Sequence, residues 1–392
     1  MRRTFLLLAV AIAMSLLYAG LAPAQELGTT PGQGQGPPQD AIPGRYIVVL
    51  EEGVRDPTAV AREHAQHHGA EVLHTYRHAV EGYAARIPDR RLDRVRADGR
   101  VAYVEADQAM NAEAQTIPWG VNKIDADASS TLAGNGSGAV SNVNAYVIDS
   151  GIYKHPDLNV VKHVNFTGDG RNRDCYGHGT HVAGSVAAKD NASDVVGAAP
   201  GAPLTGVKVL SCSGSGSTSG VIKGVDWVTA NATKPAIANM SLSGGLSRAL
   251  DDAVRNSAAS GVFYSLAAGN QGADACNHSP ARAGAGTNNG IATVAATNSS
   301  DGEWRSSNHG PCVDVWAPGA GILSTKEGGG TATKSGTSMA APHVGGGAAL
   351  YLSTNTAASP TRVEGALTSG ATTTANISKD GATIVREYVG GF

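Results

Sequence analysis

The sequence predicts an α/β protein with a mainly parallel sheet in a three-layer arrangement, preceded by a small α+β domain of the ferredoxin-like kind. Two observations lead to this prediction. Beyond residue 113, short β-branched runs alternate with helical patterns, which is typical of a parallel sheet covered on both faces. Between residues 44 and 112, the order of the predicted elements is β-α-β-β-α-β, which is the split βαβ arrangement.

The N-terminal residues have the pattern of a secretory signal peptide. A basic start is followed by apolar residues 5–17 and by the small-residue sequence Ala22-Pro23-Ala24. The apolar run is shorter than the ~18 to 20 residues that span a bilayer. We therefore expect residues 1–24 to be a signal peptide and the protein to be secreted. Residues 25–43, which are rich in Gly, Pro and Gln, are expected to form a linker.

The elements of the small domain follow from local signals. Asp56 and Pro57 have the pattern of an N-cap and a first-turn proline, and Gly69 is a natural stop for that helix. A second helix is expected from Asp89 to about Asp98. The predicted strands are at 45–50, 71–78, 82–87 and 101–105. Because this segment is rich in arginine and Ser- and Gly-rich sequence begins beyond residue 127, we expect a domain boundary near 109–115.

The larger domain shows its clearest strands as short apolar runs, at 144–148, 204–210, 236–240, 262–267 and 291–295. A domain of this size can bury about 75% of the surface of its unfolded chain, so we expect a monomer. The formal net charge of -3 and the pI near 6.5 give no electrostatic footprint for nucleic acid or for an anionic membrane surface. Neither is expected as a partner.

Three motifs carry residue types that together form a catalytic triad. Asp149 ends an apolar strand, His178 stands in Gly177-His178-Gly179, and Ser338 stands at a turn that opens an alanine-rich helix. A serine hydroxyl becomes nucleophilic when a base takes its proton, and an imidazole can do so at neutral pH. Asp, His, Ser is a chain order known for such triads. Each of these residues, taken alone, could have a purely structural role as a helix cap or be a solvated side chain.

Asn270 lies in a glycine-rich turn after another predicted strand. Its side-chain amide can donate to the oxyanion of a tetrahedral intermediate, together with the backbone N–H of Ser338. We expect His178 and Ser338 to lie at helix N-termini, where the partial positive charge keeps His178 neutral and favours developing anions.

With these four motifs in order, the chain resembles the subtilisin-like serine proteases, closest to the proteinase K and aqualysin branch, from Gly44 to the C-terminus. The resemblance implies a subtilisin-like fold and a serine endopeptidase that acts on proteins and peptides through an acyl-enzyme on Ser338. It also implies that residues 44–112 are an inhibitory propeptide, an intramolecular partner of the peptidase domain 113–392, released by self-cleavage close to Ala112.

Four cysteines in an exported chain indicate disulfides, and the sequence alone leaves three pairings open. Four reduced thiols would fit a reducing cytosol instead. The resemblance implies that Cys175 pairs with Cys212 and Cys276 with Cys312.

Two segments resemble the extended segments that sandwich a substrate strand in this family: Ser213, Gly214 and Ser215, and Ser241, Leu242, Ser243 and Gly244. The pocket walls expected from Leu242, Ala268 and Gly269 carry no charge, which favours a broad or apolar P1 residue. Ser243 departs from the glycine that is more frequent in close relatives, and this bears on the width of the pocket.

A structural calcium ion is implied by the same resemblance, with the carboxylate of Asp314 and the backbone oxygens of Asn289 and Ile291 as ligands. The preceding loop, 283–287, is longer than in proteinase K and would displace the backbone ligands. The alternative is a solvated Asp314.

Two other functions are alternatives to that of a protease. A secreted pseudo-protease would keep the fold and lose one of Asp149, His178, Asn270 or Ser338, and none of the four is lost. A secreted inhibitor would have the propeptide as its product. The i, i+3 histidines His178 and His181 invite a zinc site, but the glutamate of the metalloprotease pattern does not follow them. Five propeptide histidines, at 64, 67, 68, 74 and 78, are either a solvated face or an acid-sensitive release switch.

Overall fold

The structure, a computed structural model, describes residues 41–108 and 115–392. The described residues divide into two compact units, 41–108 and 115–392. The expected signal peptide, most of the expected linker and the expected cleavage site near Ala112 lie outside the described residues.

The small unit has the predicted order of elements. It consists of β1 (Ala41–Leu50), α1 (Pro57–His68), β2 (Glu71–Arg77), β3 (Glu81–Arg86), α2 (Asp89–Arg96) and β4 (Val101–Gln108). The sheet is antiparallel in the order β2-β3-β1-β4, and the two helices pack on it around Val48, Tyr83 and Val95. The ferredoxin-like prediction is therefore confirmed.

Strand β1 begins earlier than expected. Ala41 already pairs with Gln108 of β4, so residues 41–43 belong to the strand and the linker prediction to residue 43 is wrong there. Helix α1 has the predicted ends, because the Asp56 carboxylate accepts the N–H groups of Thr58 and Ala59 and Gly69 adopts the left-handed conformation.

The large unit is built on one nine-stranded sheet. Its strands are β5 (Asn144–Asp149), β6 (Val160–Asn165), β7 (Leu204–Lys208), β8 (Ala236–Met240), β9 (Phe263–Ala267), β10 (Ile291–Thr297), β11 (Val315–Pro318), β14 (Thr372–Ile377) and β15 (Thr383–Arg386). Their order in the sheet is β14-β15-β11-β10-β9-β8-β5-β7-β6. All neighbours pair in parallel except β14 with β15. A separate hairpin joins β12 (Ile322–Thr325) to β13 (Thr331–Lys334).

Helices cover both faces of this sheet, which confirms the three-layer prediction. They are α3 (Trp119–Lys123), α4 (His178–Ala187), α5 (Thr218–Asn231), α6 (Arg248–Ala259), α7 (Thr337–Thr354) and α8 (Pro360–Gly370). Alternate residues of β5 reach opposite cores: Ala145 and Val147 pack with α4 and α7, whereas Tyr146 and Ile148 pack with α5 and α6. None of the helices in the described ranges is long and apolar enough to cross a bilayer.

The sheet order places a crevice at the end of β5. The chain leaves β5 towards β6 and β7 on one side and later continues into β8 and β9 on the other. Open α/β sheets bind ligands at the carboxyl ends of the strands where the strand order reverses in this way. Asp149, the last residue of β5, lies at this point.

Candidate active site

Asp149 and His178 form a hydrogen-bonded pair at the end of β5. The Asp149 side chain is fully buried, and its Oδ1 and Oδ2 lie 2.8 and 2.9 Å from Nδ1 of His178. The backbone N–H of Ser150 also donates to Asp149 Oδ1, at 2.6 Å. With Nδ1 as the donor to the carboxylate, the neutral imidazole has Nε2 as its basic nitrogen.

The pKa of His178 is shifted by opposing effects. Burial of the ring lowers the pKa, but the charge of Asp149 and its hydrogen bond outweigh burial, so that the net pKa is raised above the ordinary value. His178 is the first residue of α4, as expected. The expected effect of the helix N-terminus on the protonation of His178 stays a prediction, and the charge of Asp149 acts on the pKa in the opposite sense.

Asp174, which the sequence analysis missed, fixes the start of α4. This fully buried carboxylate accepts hydrogen bonds from the backbone N–H groups of Tyr176, Gly177 and Thr180, at 2.9 to 3.0 Å. The Ser150 hydroxyl donates to it as well and accepts the N–H of Gly179. The loop before His178 is therefore tied to the end of β5.

Ser338 is the second residue of α7 and exchanges hydrogen bonds with Ser241. The Ser338 hydroxyl donates to the Ser241 carbonyl at 3.1 Å, and the Ser241 hydroxyl donates to the Ser338 carbonyl at 2.8 Å. Within the described residues, no hydrogen bond joins the Ser338 hydroxyl to His178, although both side chains line the same cavity. Catalytic hydrogen bonds are often formed only once substrate is bound.

The side chain of Asn270 is oriented by Thr337, another residue that the sequence analysis did not single out. The Asn270 Oδ1 atom accepts both the backbone N–H and the hydroxyl of Thr337, each at 2.9 Å. Because the amide oxygen is engaged, the Nδ2 group remains available to a ligand. The N–H of Ser338 lies in the first turn of α7, where no intrahelical acceptor exists.

The residues His178, Asn270 and Ser338 border one cavity of about 490 Å³. Most of the predicted substrate segments line it, namely Gly214, Ser215, Ser241, Leu242, Ser243 and Gly244. Ser213 is not among the lining residues, and its hydroxyl contacts that of Ser211. Of the expected pocket walls, Leu242 and Gly269 line the cavity, while Ala268 is fully buried behind it.

Two disulfides join segments of the large unit. The Cα atoms of Cys175 and Cys212 are 5.0 Å apart, and those of Cys276 and Cys312 are 5.3 Å apart, within the normal range for a disulfide. The first joins the loop before His178 to the residue before Ser213, and both follow the pairing that the resemblance implies. Asp169 lies beside this first disulfide, but sulfur atoms in a disulfide offer no thiolate to a metal.

Asp314 is a half-buried carboxyl group that forms no salt bridge among the described residues. Its Oδ2 accepts the Thr293 N–H at 2.7 Å, and partial burial raises its pKa to about 8. The Asp314 N–H donates to the Thr293 carbonyl, so that carbonyl faces Asp314. Carbonyl groups two residues apart in a strand point to the same side, so the Ile291 carbonyl faces this edge of β10 as well. Asn289 uses its side chain to bind Gly284 and Ile291 within the loop. The Asp314 carboxyl group and the Ile291 carbonyl supply oxygen atoms, which are the ligands that calcium prefers, on one edge of the sheet.

His181 lies away from any metal-binding arrangement. Its ring is fully buried, with Nε2 between the carbonyl oxygens of Ile322 and Ala332, and burial lowers its pKa to about 4. It is therefore a neutral, packed residue, as is His343, whose Nδ1 contacts the Met339 carbonyl.

Two family models match the chain. The model of the subtilase family matches residues 141–389, and that of the peptidase inhibitor I9 family matches residues 45–113. The two matches together extend over most of the residues that the structure describes.

Individual relatives are similar over both units. An alkaline serine exoprotease A of Vibrio alginolyticus is 41% identical, over 86% of this chain and 66% of its own length. An extracellular serine proteinase of a Thermus species is 43% identical, over 84% of this chain and 85% of its own length. Among solved structures, a cold-adapted subtilisin-like serine proteinase is 45% identical with a TM-score of 0.61, over 70% of this chain and 98% of its own.

Proposed function

The chain belongs to the subtilase family and is a serine endopeptidase made with an inhibitor-type propeptide, and from this premise we propose that it hydrolyses peptide bonds through an acyl-enzyme on Ser338. The observation that carries the proposal is the convergence of His178, Asn270 and Ser338 on one cavity, with Asp149 bonded behind His178.

In this mechanism His178 moves the protons. Its Nε2 takes the proton of the Ser338 hydroxyl as the oxygen attacks the scissile carbonyl, and then gives that proton to the leaving amine. Asp149 holds the tautomer with Nδ1–H and stabilises the imidazolium that forms after attack. A water molecule then attacks the acyl-enzyme, with His178 acting again as the base.

The negative charge that develops on the carbonyl oxygen is stabilised by two donors. These are the Nδ2 group of Asn270, left free because Thr337 engages the amide oxygen, and the backbone N–H of Ser338. Both donors are held by the protein before the reaction, so little reorganisation accompanies the chemical step.

The substrate proposed is an extended segment of a protein or peptide, bound between residues 214–215 and 241–244. Backbone hydrogen bonds of this kind read little sequence, so side-chain pockets supply the preference. Among the described residues that line the cavity there is no Asp, Glu, Lys or Arg. This supports a broad or apolar preference at P1.

We propose that the enzyme is exported and matures by cutting itself close to Ala112. The export proposal is supported by the N-terminal sequence pattern and by the relative named as an extracellular serine proteinase. The proposed active form is a monomer of the peptidase domain, which the propeptide inhibits until it is removed. Neither nucleic acid nor a membrane is proposed as a partner. Asp314, with the Ile291 carbonyl, is proposed to hold a structural calcium ion.

The test is the intact mass of the secreted protein, with and without a fluorophosphonate that reacts with activated serines. We expect a mature N-terminus near residue 113, one added phosphonyl group on wild type and none on Ser338→Ala. Labelling of the Ser338→Ala variant, or no labelling of the mature wild-type enzyme, would contradict the proposed nucleophile. Peptide substrates that differ only at P1 then test the apolar preference.

A further inference from the structure

Asn308 is a fully buried asparagine whose side chain is enclosed by the loop that carries Asn270. Its Nδ2 group donates to the Ala268 carbonyl and to Oε1 of Gln271, each at 2.9 Å. Its Oδ1 accepts the backbone N–H groups of Gln271 and Ala273, at 2.9 and 3.0 Å. A side-chain amide has two donor hydrogens and two acceptor sites, so every hydrogen-bonding position of Asn308 is used.

The backbone contacts fix the orientation of this amide without ambiguity. Its nitrogen faces a carbonyl group and its oxygen faces two N–H groups, so the reversed orientation would oppose like groups on both sides. The Asn308 backbone N–H also donates to the Gly269 carbonyl, at 2.9 Å. The loop on both sides of Asn270 is therefore bound to a single residue.

The loop cannot keep this path with other side chains at two positions. Gly269 has φ of +108°, and a Cβ atom there would overlap the Asn308 amide. An aspartate at 308 has the same shape but lacks both donors, and would place a carboxylate oxygen against the Ala268 carbonyl. The fit between the loop and the amide is specific to asparagine.

We propose that Asn308 is a positioning residue for the oxyanion donor Asn270. Thr337 orients the side chain of Asn270, and Asn308 sets the position of its backbone, so the Nδ2 group is aimed at the reacting oxygen from both ends. This inference rests on the proposed acyl-transfer mechanism and adds a residue to it. Donor placement within about 1 Å matters, because a misplacement of that size can lower the rate roughly 10²-fold.

The test is a double-mutant cycle of Asn308→Ala and Asn270→Ala in the full chain, with each variant processed by immobilised wild-type enzyme. Asn270→Ala is expected to lower kcat roughly 10²- to 10³-fold, the loss measured for such a donor in a subtilisin. Asn308→Ala is expected to lower kcat roughly 10- to 100-fold with KM changed less than about threefold. In the Asn270→Ala background, Asn308→Ala should lower kcat by less than about twofold, because the donor it positions is already gone.

If Asn308→Ala lowers kcat in the Asn270→Ala background as much as it does in the wild type, the proposal is overturned, since Asn308 would then act on something other than Asn270. Asn298→Ala is the matched control: that amide also accepts two backbone N–H groups in a turn, from Ser300 and Gly302, and does not line the cavity. It should leave kcat unchanged. If wild type itself fails to hydrolyse peptides, the proposed function fails, whatever the cycle shows.

Asn308→Asp covers the case in which the alanine variant does not fold. It keeps the volume and both acceptor sites but removes the donors, and its kcat should again fall at least tenfold. A peptide aldehyde, whose adduct with Ser338 carries the oxyanion, should lose affinity by the same factor as kcat in this variant. Unchanged aldehyde affinity at a lowered kcat would overturn the proposal.

Discussion

The hydroxyl of Ser338 donates its hydrogen bond to the backbone carbonyl of Ser241 and not to the ring of His178. Ser241 belongs to a segment proposed to bind substrate, so its carbonyl is also an acceptor for a substrate N–H. A bound peptide would compete for this carbonyl and turn the Ser338 hydroxyl towards His178. Substrate binding and activation of the nucleophile are thus linked through one backbone oxygen.

Replacing Ser338 with alanine should abolish proteolysis, because the cavity would lose its attacking oxygen. The expected fall in kcat is about 10⁶-fold, the loss found for the nucleophile of a subtilisin. The variant should also accumulate as an uncut precursor, measured by intact mass after expression in a protease-deficient host. Normal processing in that host would show that the cut near Ala112 is made by another enzyme.

The acid side of the pH–rate profile should report the raised pKa of His178. The base must be neutral, so kcat/KM should rise with pH through a midpoint above the ordinary histidine value of about 6.5. Asp149→Asn removes the charge that raises this pKa, so its midpoint should move down while kcat falls about 10⁴-fold. A wild-type midpoint at or below 6.5 would contradict the dominance of Asp149.

Calcium should stabilise the protein through Asp314. A ligand at 100 times its Kd adds about 2.7 kcal/mol to the free energy of unfolding. Without the ion the pKa of Asp314 is about 8, so binding displaces a proton and should strengthen as pH rises towards 8. The measurement is Tm with calcium and with chelator at pH 6 and pH 8. The Tm of Asp314→Asn should change with neither calcium nor chelator. If the wild-type Tm is the same with calcium and with chelator, no calcium ion stabilises the protein.

Glu387 should make the protein less stable as pH rises. It is fully buried, neither carboxyl oxygen has a hydrogen-bond partner in the described ranges, and burial raises its pKa to about 8. Because the unfolded value is about 4.5, the folded state binds the proton more tightly, and this stability is lost between pH 4.5 and pH 8. Glu387→Leu should flatten the pH dependence and add roughly 1–3 kcal/mol at pH 9.

Glu364 provides the control for that variant. It is equally buried, but its oxygens accept the N–H groups of Asn288 and Gly290, each at 2.7 Å. Glu364→Leu should therefore lower the free energy of unfolding by leaving two buried donors unsatisfied. Chemical denaturation at pH 5 and pH 9 measures both variants. A stabilising Glu364→Leu would contradict this interpretation of Glu387.

The propeptide should lose inhibitory strength in acid. Burial, followed by the charges of His64 and nearby arginines, lowers the pKa of His68. A depressed histidine pKa means that the folded form binds fewer protons, so its stability decreases as pH falls below about 6.5. Inhibition of the mature enzyme by isolated propeptide at pH 5 and pH 8 measures the effect. His68→Gln should reduce the difference, and an unchanged difference would contradict it.

The other propeptide histidines differ in exposure, and only some of them fit the solvated face that was one of the two interpretations of the sequence. His64 is buried against Tyr83 and lies 2.9 Å from Asp98, so it is not part of a solvated face. His67, His74 and His78 are exposed. Periodicity alone could not separate them, because the buried position depends on a tyrosine from the neighbouring strand.

The sequence was most informative where a pattern repeats or a motif is contiguous. Strand β8 was predicted to the residue, since a buried parallel strand is a nearly continuous apolar run, broken here only by Asn239. Strands β14 and β15, a hairpin at one edge of the sheet, were not predicted, because most residues of β14 are polar and β15 is only four residues long. The motifs around Asp149, His178, Asn270 and Ser338 identified the candidate triad and oxyanion donor.

The residues that support the site could not be found in this way. Asp174, Thr337 and Asn308 act on backbone N–H and C=O groups, which are the same at every position and leave no mark in the sequence. Glu387, in the polar run Arg386-Glu387-Tyr388, has the pattern of a surface residue, and its burial follows from where the strand docks.

Helix α7 has a consequence for how the protein is made. It is buried along most of its length and contains Gly345, Gly346 and Gly347, each of which disfavours a free helix by roughly 1 kcal/mol relative to alanine. Such a helix forms only when the rest of the sheet is there to pack against it. Since Ser338 lies in its first turn, a half-folded chain has no positioned nucleophile. We therefore expect newly made molecules to cut no peptide bonds before α7 has packed on the sheet.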